Sequence, residues 1–183
     1  MKKLMKTYLR LFPILIILIF ITLILYGFVH ETAHYLTCES IGLEGNMSID
    51  LLQNPPKYMV ACEGINEETS FSKFIFWGSP YMVSLIVMIS LFFFLKKDRF
   101  YLISIPTGIL LSDLLNIFGF YQWTYKIGEA GNDFLHILFK TPKPYFITIA
   151  FVLGLTVYFY ALILVVFYKK FIKHLNQKNI SKK

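Results

Sequence analysis

The hydrophobic residues of this chain are grouped into four long apolar runs separated by polar segments. The runs extend over about residues 11–36, 74–95, 100–120 and 145–168. A helix needs about 20 apolar residues to cross the hydrocarbon core of a bilayer, and each run reaches that length. The pattern therefore predicts an all-α membrane protein with about four transmembrane helices, built as a single domain over residues 1–183.

Two prolines refine this prediction for the first and third runs. Pro13 falls in the opening turn of the first predicted helix, where a missing N–H costs little. Pro106 lies inside the third predicted helix and is expected to kink it. The first run is too long for a signal peptide and has no small-x-small cleavage site before His30, so we expect it to stay in the mature chain.

The segment between the first two runs has the pattern of a short β-hairpin. Met47, Ile49 and Leu51 alternate with polar residues, residues 53–57 are typical of a turn, and residues 58–62 can form a second strand. We expect this small hairpin to lie outside the cytoplasm, beside the site described below. Our hypothesis is that its open edge pairs with an extended substrate segment, because a strand edge supplies main-chain hydrogen-bond partners.

The composition excludes an ordinary soluble domain. Hydrophobic residues make up 56% of the 183-residue chain and charged residues only 16%. A soluble domain of this size cannot bury so many Ile, Leu and Phe side chains. We therefore expect an integral, multi-pass membrane protein that contacts the lipid bilayer over much of its surface.

The net charge of +7 indicates how the chain is oriented in the membrane. Lysine and arginine are concentrated before the first run, at residues 96–99, and in a basic tail at residues 169–183. By the positive-inside rule these segments are cytoplasmic, which places both termini inside. The charge thus predicts topology and does not indicate a nucleic-acid partner. The richness in Lys and Ile favours the plasma membrane of an AT-rich bacterium as the location.

The strongest chemical signal is His30-Glu31-Thr32-Ala33-His34, an H-E-x-x-H motif at the end of the first run. On a helix the two histidines lie one turn apart on one face, so both imidazoles can bind one Zn²⁺, with Glu31 placed to activate water. These residues could instead be only polar groups where the helix leaves the bilayer, but that interpretation does not explain their spacing. The predicted topology places the motif near the outer face.

A catalytic zinc site has three protein ligands, so one must come from another segment. Asp133 precedes a short apolar segment in the last outer loop and is the first candidate, although it could also serve only as a helix N-cap. Asp113, an acid inside the third run, is the alternative third ligand, or it forms a structural hydrogen bond. His136 is a further candidate. Asn116 could orient a ligand, bind the substrate carbonyl, or join two helices.

The two cysteines, Cys38 and Cys62, fall in the first outer loop. An oxidising exterior would permit a disulfide between them, and two buried free thiols are equally compatible with the sequence. Cys38 continues the helix face of His30 and His34. Three successive turns of one straight helix cannot all reach one ion, so Cys38 is excluded as a zinc ligand.

The chain resembles the site-2 protease-like intramembrane zinc metalloproteases. The resemblance rests on the H-E-x-x-H motif at residues 30–34, the Gly-containing strand-like loop after it, Gly78-Ser79-Pro80-Tyr81 opening the next span, and a later Asp-bearing element. Smaller bacterial members carry a Gly-x-Asp segment after the third span, which Gly131-Asn132-Asp133 matches. The resemblance covers most of the chain, and the H-E-x-x-H motif is its specific part.

The resemblance implies a zinc metalloendopeptidase that cleaves membrane-anchored proteins in or near the membrane. His30, His34 and Asp133 would hold the metal, and Glu31 would take a proton from zinc-bound water and return it to the leaving amine. Two other functions remain open. One is a metal-binding accessory or immunity protein without hydrolytic activity, and the other is a small transporter subunit whose acids line an ion path. The sequence does not determine the oligomeric state.

Overall fold

The computed structural model describes residues 2–50, 57–94, 100–118 and 133–180. In these residues the protein is mostly helical, with one small two-stranded antiparallel sheet. Its elements in chain order are α1 (Lys2–Ser40), β1 (Gly45–Asp50), β2 (Lys57–Cys62), α2 (Ser70–Phe94), a 3₁₀ turn (Phe100–Ile103), α3 (Ser104–Ile117), α4 (Asp133–Lys140) and α5 (Lys143–Ile180).

Among the helices that the structure describes, three are long and apolar enough to cross a membrane. Their qualifying segments are Phe12–Ser40 of α1, Ser70–Phe93 of α2 and Lys143–Lys169 of α5. The outward faces of these helices expose many large apolar side chains, such as Phe20 and Phe151. Such surfaces are stable in contact with lipid. The lengths and the apolar surfaces of these three helices therefore support the expectation of a membrane protein.

The third predicted span is the one that differs most. Its α-helix, α3, begins only at Ser104 and ends at Ile117, so it is apolar but shorter than the other three. Pro106 lies in its first turn, where a helix leaves backbone N–H groups unpaired, and the preceding residues form a 3₁₀ turn. The kink expected at Pro106 is therefore wrong, because proline is accommodated at the start of the helix.

Helix ends do not coincide with the ends of the apolar runs. α1 starts at Lys2, which places Pro13 in the helix interior and not in the opening turn. α2 starts at Ser70, where Thr69 caps it by accepting a hydrogen bond from the Ser72 N–H at 3.2 Å. α5 continues past the apolar run to Ile180, because no glycine or proline follows Tyr168 to end it. The basic tail is thus helical over its described part.

The β-hairpin is confirmed between α1 and α2. β1 pairs with β2 in antiparallel register, with Met47 opposite Val60 and Gly45 opposite Cys62. The turn expected at residues 53–57 lies almost entirely outside the described residues. A C-terminal glycine motif directs the chain from α1 into β1: Gly42 has a φ of 83° and the Leu43 N–H donates to the Cys38 carbonyl.

The helices pack around a core that four of them share. Tyr26 of α1, Met88 of α2, Ile109 of α3 and Ile163 of α5 form one buried cluster. α1 and α3 approach especially closely at Gly108, where an added Cβ would lie 2.7 Å from the Thr22 Cβ. Only glycine fits such a close contact. The contact therefore fixes the position of α3 along the axis of α1.

Gly108→Ala is expected to destabilise the protein by about 1–3 kcal/mol, the usual cost of forcing a methyl group into a packed interior. The Cβ would also lie 3.1 Å from the Ile19 backbone oxygen, which cannot rotate away. Gly154→Ala is the matched control, since nothing lies within 4 Å of the Cβ it would add. Thermal unfolding in detergent measures both variants. Equal melting temperatures would contradict the close packing of α1 on α3.

Candidate metal centre

Three side chains that are distant in sequence meet near the end of α1. His30 and His34 lie on one face of this helix, and Asp133 is the first residue of α4. Asp133 Oδ2 is 2.8 Å from His30 Nε2 and 3.2 Å from His34 Nε2. One donor atom from each of the three residues falls within a 4.8 Å group, and all three residues are buried. The structure therefore brings together the three residues ranked first from the sequence.

A backbone carbonyl of α2 fixes the ring of His34. His34 Nδ1 lies 2.8 Å from the Phe76 oxygen, and because a carbonyl only accepts, Nδ1 carries a proton. In the neutral ring Nε2 then presents its lone pair toward Asp133. The Phe76 carbonyl is available because the residue one turn later is Pro80, which has no N–H to bond it. The proline of the Gly78-Ser79-Pro80-Tyr81 segment thus creates an acceptor for a histidine on another helix.

His30 and Asp133 share a third neighbour, Asn116 of α3. Asn116 Nδ2 lies 3.0 Å from Asp133 Oδ2 and 3.3 Å from His30 Nε2. The Tyr81 hydroxyl donates to Asn116 Oδ1 at 3.0 Å, which assigns the amide oxygen to the side facing Tyr81. The amide NH₂ group therefore faces His30 and Asp133. This contact favours the His30 tautomer in which Nε2 carries no proton and accepts from the Asn116 NH₂ group.

The carboxyl group of Asp133 is held in its charged form. Burial by itself raises the pKa of Asp133, but His34 and His30 outweigh this effect and bring the pKa below its ordinary value. An ionised carboxylate only accepts hydrogen bonds. When both imidazoles are neutral, as drawn from their other contacts, both Nε2 atoms present lone pairs and three acceptors face one another in a buried site. Such a set requires a cation, which can be a metal ion or protons on the imidazoles.

Glu31 lies beside this group and is tied to the hairpin. Its Oε2 accepts a hydrogen bond from the Val60 N–H at 3.0 Å. Two neighbours of Val60 on the same face of β2 also contact α1: Tyr58 packs edge-on against Phe28, and Cys62 is bonded to Cys38 in a disulfide. The hairpin is therefore fixed along the helix face that carries Glu31, and the disulfide that the sequence left open is present.

The other candidate ligands lie outside the donor group. Asp113 is buried one turn before Asn116 on α3, near Ser84, and neither of its carboxyl oxygens has a hydrogen-bond partner at normal geometry in the described residues. His136 is buried on α4, where its ring stacks on Trp77 with centroids 4.2 Å apart. In the part of the chain that the structure describes, the donor group contains neither residue. Cys38, excluded as a ligand from the sequence, is in the disulfide.

The sequence did not reveal three groups that contact the site residues: the Phe76 carbonyl, the Val60 N–H and the Tyr81 hydroxyl. Two of them are backbone atoms, which no motif records. For the Phe76 carbonyl the sequence contains one local indication, because a proline inside a helix leaves the carbonyl four residues before it without its usual N–H partner. Tyr81 had none, since its role depends on the packing of α2 against α3.

Comparison of the chain with protein-family models, characterised proteins and solved structures finds no match in any of the three.

Proposed function

We propose that the protein is a zinc-dependent endopeptidase of the membrane that cleaves membrane-anchored proteins. The carrying observation is the buried group of two imidazole nitrogens and one carboxylate oxygen at His30, His34 and Asp133, with Glu31 adjacent on the same helix. Two histidines and a carboxylate are a known protein ligand set of catalytic zinc, which leaves a further position for water or substrate. The likeness to site-2 proteases agrees with this proposal.

The two distances from Asp133 to the histidine nitrogens are close to those that this metal requires. Ligand atoms bound to zinc at about 2.1 Å in a tetrahedron lie roughly 3.4 Å apart. The 3.2 Å between His34 Nε2 and Asp133 Oδ2 is close to that value, and the 2.8 Å at His30 requires a shift of only about half an ångström. The Phe76 carbonyl and the Asn116 amide supply the outer contacts that commonly orient zinc ligands.

In the proposed mechanism, zinc when bound supplies a Lewis acid that polarises a peptide carbonyl and makes water more acidic. Glu31 accepts the proton of the attacking water on its carboxylate and returns it to the leaving nitrogen. The hydrogen bond from the Val60 N–H keeps this carboxylate at the site. A substrate helix must unwind locally, because its peptide groups are otherwise hydrogen-bonded and shielded from water.

We further propose that α3 is a fourth membrane segment and that both termini are cytoplasmic, from the positions of the basic residues. The metal centre then lies near the outer boundary, where water is available. A disulfide between Cys38 and Cys62 agrees with an oxidising exterior at this end of α1. The substrates are single-span or lipid-anchored proteins cut near the external boundary.

The proposal predicts about one zinc ion per molecule in detergent-purified protein and almost none in His34→Ala. Metal analysis by mass spectrometry tests this. His136→Ala is the matched control, because it also removes a buried imidazole but one outside the donor group. Folded wild-type protein without zinc, even after incubation with zinc, would refute the proposal. It would leave an ion pair between Asp133 and protonated histidines as the function of these contacts.

A metal-binding protein without hydrolytic activity would use the same three ligands. It would give the same zinc result, but it would have no need of Glu31. Release of a tag from a panel of single-span reporter proteins, blocked by a zinc chelator, distinguishes the peptidase from that alternative.

A further inference from the structure

A series of hydrogen bonds runs from Tyr81 of α2 through Asn116 of α3 to Asp133 at the start of α4. The Tyr81 hydroxyl donates to Asn116 Oδ1 at 3.0 Å. Asn116 Nδ2 in turn lies 3.0 Å from Asp133 Oδ2. The series therefore links α2 and α3 to the first residue of α4.

The direction of each bond in this series is determined by its last member, the Asp133 carboxylate. An ionised carboxylate only accepts, so the Asn116 NH₂ group donates to Asp133 and the Asn116 oxygen faces Tyr81. That oxygen also only accepts, so the Tyr81 hydroxyl donates to it. Without the Tyr81 hydroxyl, the amide loses the contact that holds its oxygen end, and only the contacts of its NH₂ group with Asp133 and His30 remain.

We infer that Tyr81 is a positioning residue of the proposed zinc centre, acting through Asn116 on Asp133. This inference rests on the proposed function. Tyr81 is completely buried, and its ring meets the His30 ring edge-on at 6.4 Å. Its hydroxyl keeps an amide donor on Asp133 Oδ2, which leaves the carboxylate only limited freedom to turn away from the two histidines. Outer contacts of this type commonly change metal affinity by about 10- to 100-fold.

Tyr81→Phe tests the inference, because it removes the hydroxyl and keeps the ring. The zinc Kd of detergent-purified protein is measured by competition with a chelating dye, and the absorption spectrum of bound Co²⁺ reports the ligand geometry. We expect the Kd to rise about 10- to 100-fold and the Co²⁺ spectrum to change. Tyr26→Phe is the matched control: it removes another buried phenol, one turn before His30, whose hydroxyl bonds Ser84 and the Pro80 carbonyl. We expect little change in its zinc Kd.

A double-mutant comparison shows whether Tyr81 acts through Asn116. The Kd of Tyr81→Phe combined with Asn116→Ala should be no higher than that of Asn116→Ala alone, since contacts in one series are not additive. The metal-free melting temperatures of Tyr81→Phe and Tyr26→Phe should be similar. An unchanged zinc Kd in Tyr81→Phe, or full additivity with Asn116→Ala, would overturn the inference while leaving the zinc centre intact. Wild-type protein that binds no zinc would overturn the proposed function itself.

Discussion

Glu31→Gln is expected to lower the rate of reporter cleavage by about 10²- to 10⁴-fold while zinc remains bound. This range is the usual contribution of a positioned general acid–base group. Glutamine has the shape of glutamate and keeps an oxygen that can accept the Val60 N–H, but it cannot take a proton from water. The proposed ligands His30, His34 and Asp133 are unchanged. Metal analysis and release of the reporter tag, measured on the same preparation, test both halves of the prediction.

Glu39→Gln is the matched control for this experiment. Glu39 also lies on α1 and also accepts a hairpin N–H, that of Gly45 at 3.1 Å, but it is exposed and two turns beyond the site. The two variants thus alter the same kind of contact to the hairpin, and only Glu31→Gln removes a base from the metal centre. Equal, measurable cleavage rates in wild type and Glu31→Gln would exclude Glu31 as the general base, whereas no cleavage by either zinc-loaded protein would favour a metal-binding protein without catalysis.

The helices were predictable because their apolar runs are long, whereas their ends were not. Run length measures how much of a helix is apolar, but a helix ends where its backbone is capped or broken. Gly42 ends α1 and Thr69 begins α2, both outside the apolar runs. The predicted start and shape of the helix in the third run had the largest error. Pro106 is compatible both with the middle of a kinked helix and with the first turn of a shorter one. Apolarity does not distinguish these two cases.

The candidate site was predictable as far as local spacing extends. His30 and His34 lie one turn apart on any helix, so their common face follows from the sequence. Asp133 is 103 residues from His30, and only its position in a predicted outer loop and the Gly-x-Asp resemblance indicated that it could approach. The contacts that orient these residues depend on how α2 packs against α1 and α3. No sequence pattern specifies the Tyr81 hydroxyl or the Phe76 carbonyl as partners.

The second large effect is expected on zinc binding, when the two acids that are candidates for the third ligand, Asp133 and Asp113, are substituted separately. Asp133→Ala should weaken zinc binding by more than the roughly 10- to 100-fold expected for an outer contact, because it removes one of three ligands. Asp113→Ala should keep about one zinc per molecule, since Asp113 lies outside the donor group. Both acids are buried, so both variants remove a carboxyl group from the interior and differ chiefly in their distance from the histidines.

The two substitutions should also change the melting temperature of the metal-free protein in opposite directions: Asp113→Ala should raise it and Asp133→Ala should lower it. Asp113 is buried, and its carboxyl oxygens have no partner at normal geometry among the described residues, so removing them eliminates an unfavourable burial. Asp133→Ala instead leaves His30, His34 and the Asn116 amide without their shared acceptor. Zinc content and metal-free melting temperatures of both variants provide the comparison. Zinc lost from Asp113→Ala and kept in Asp133→Ala would make Asp113 the third ligand, and the contacts of Asp133 would then be those of an ion pair.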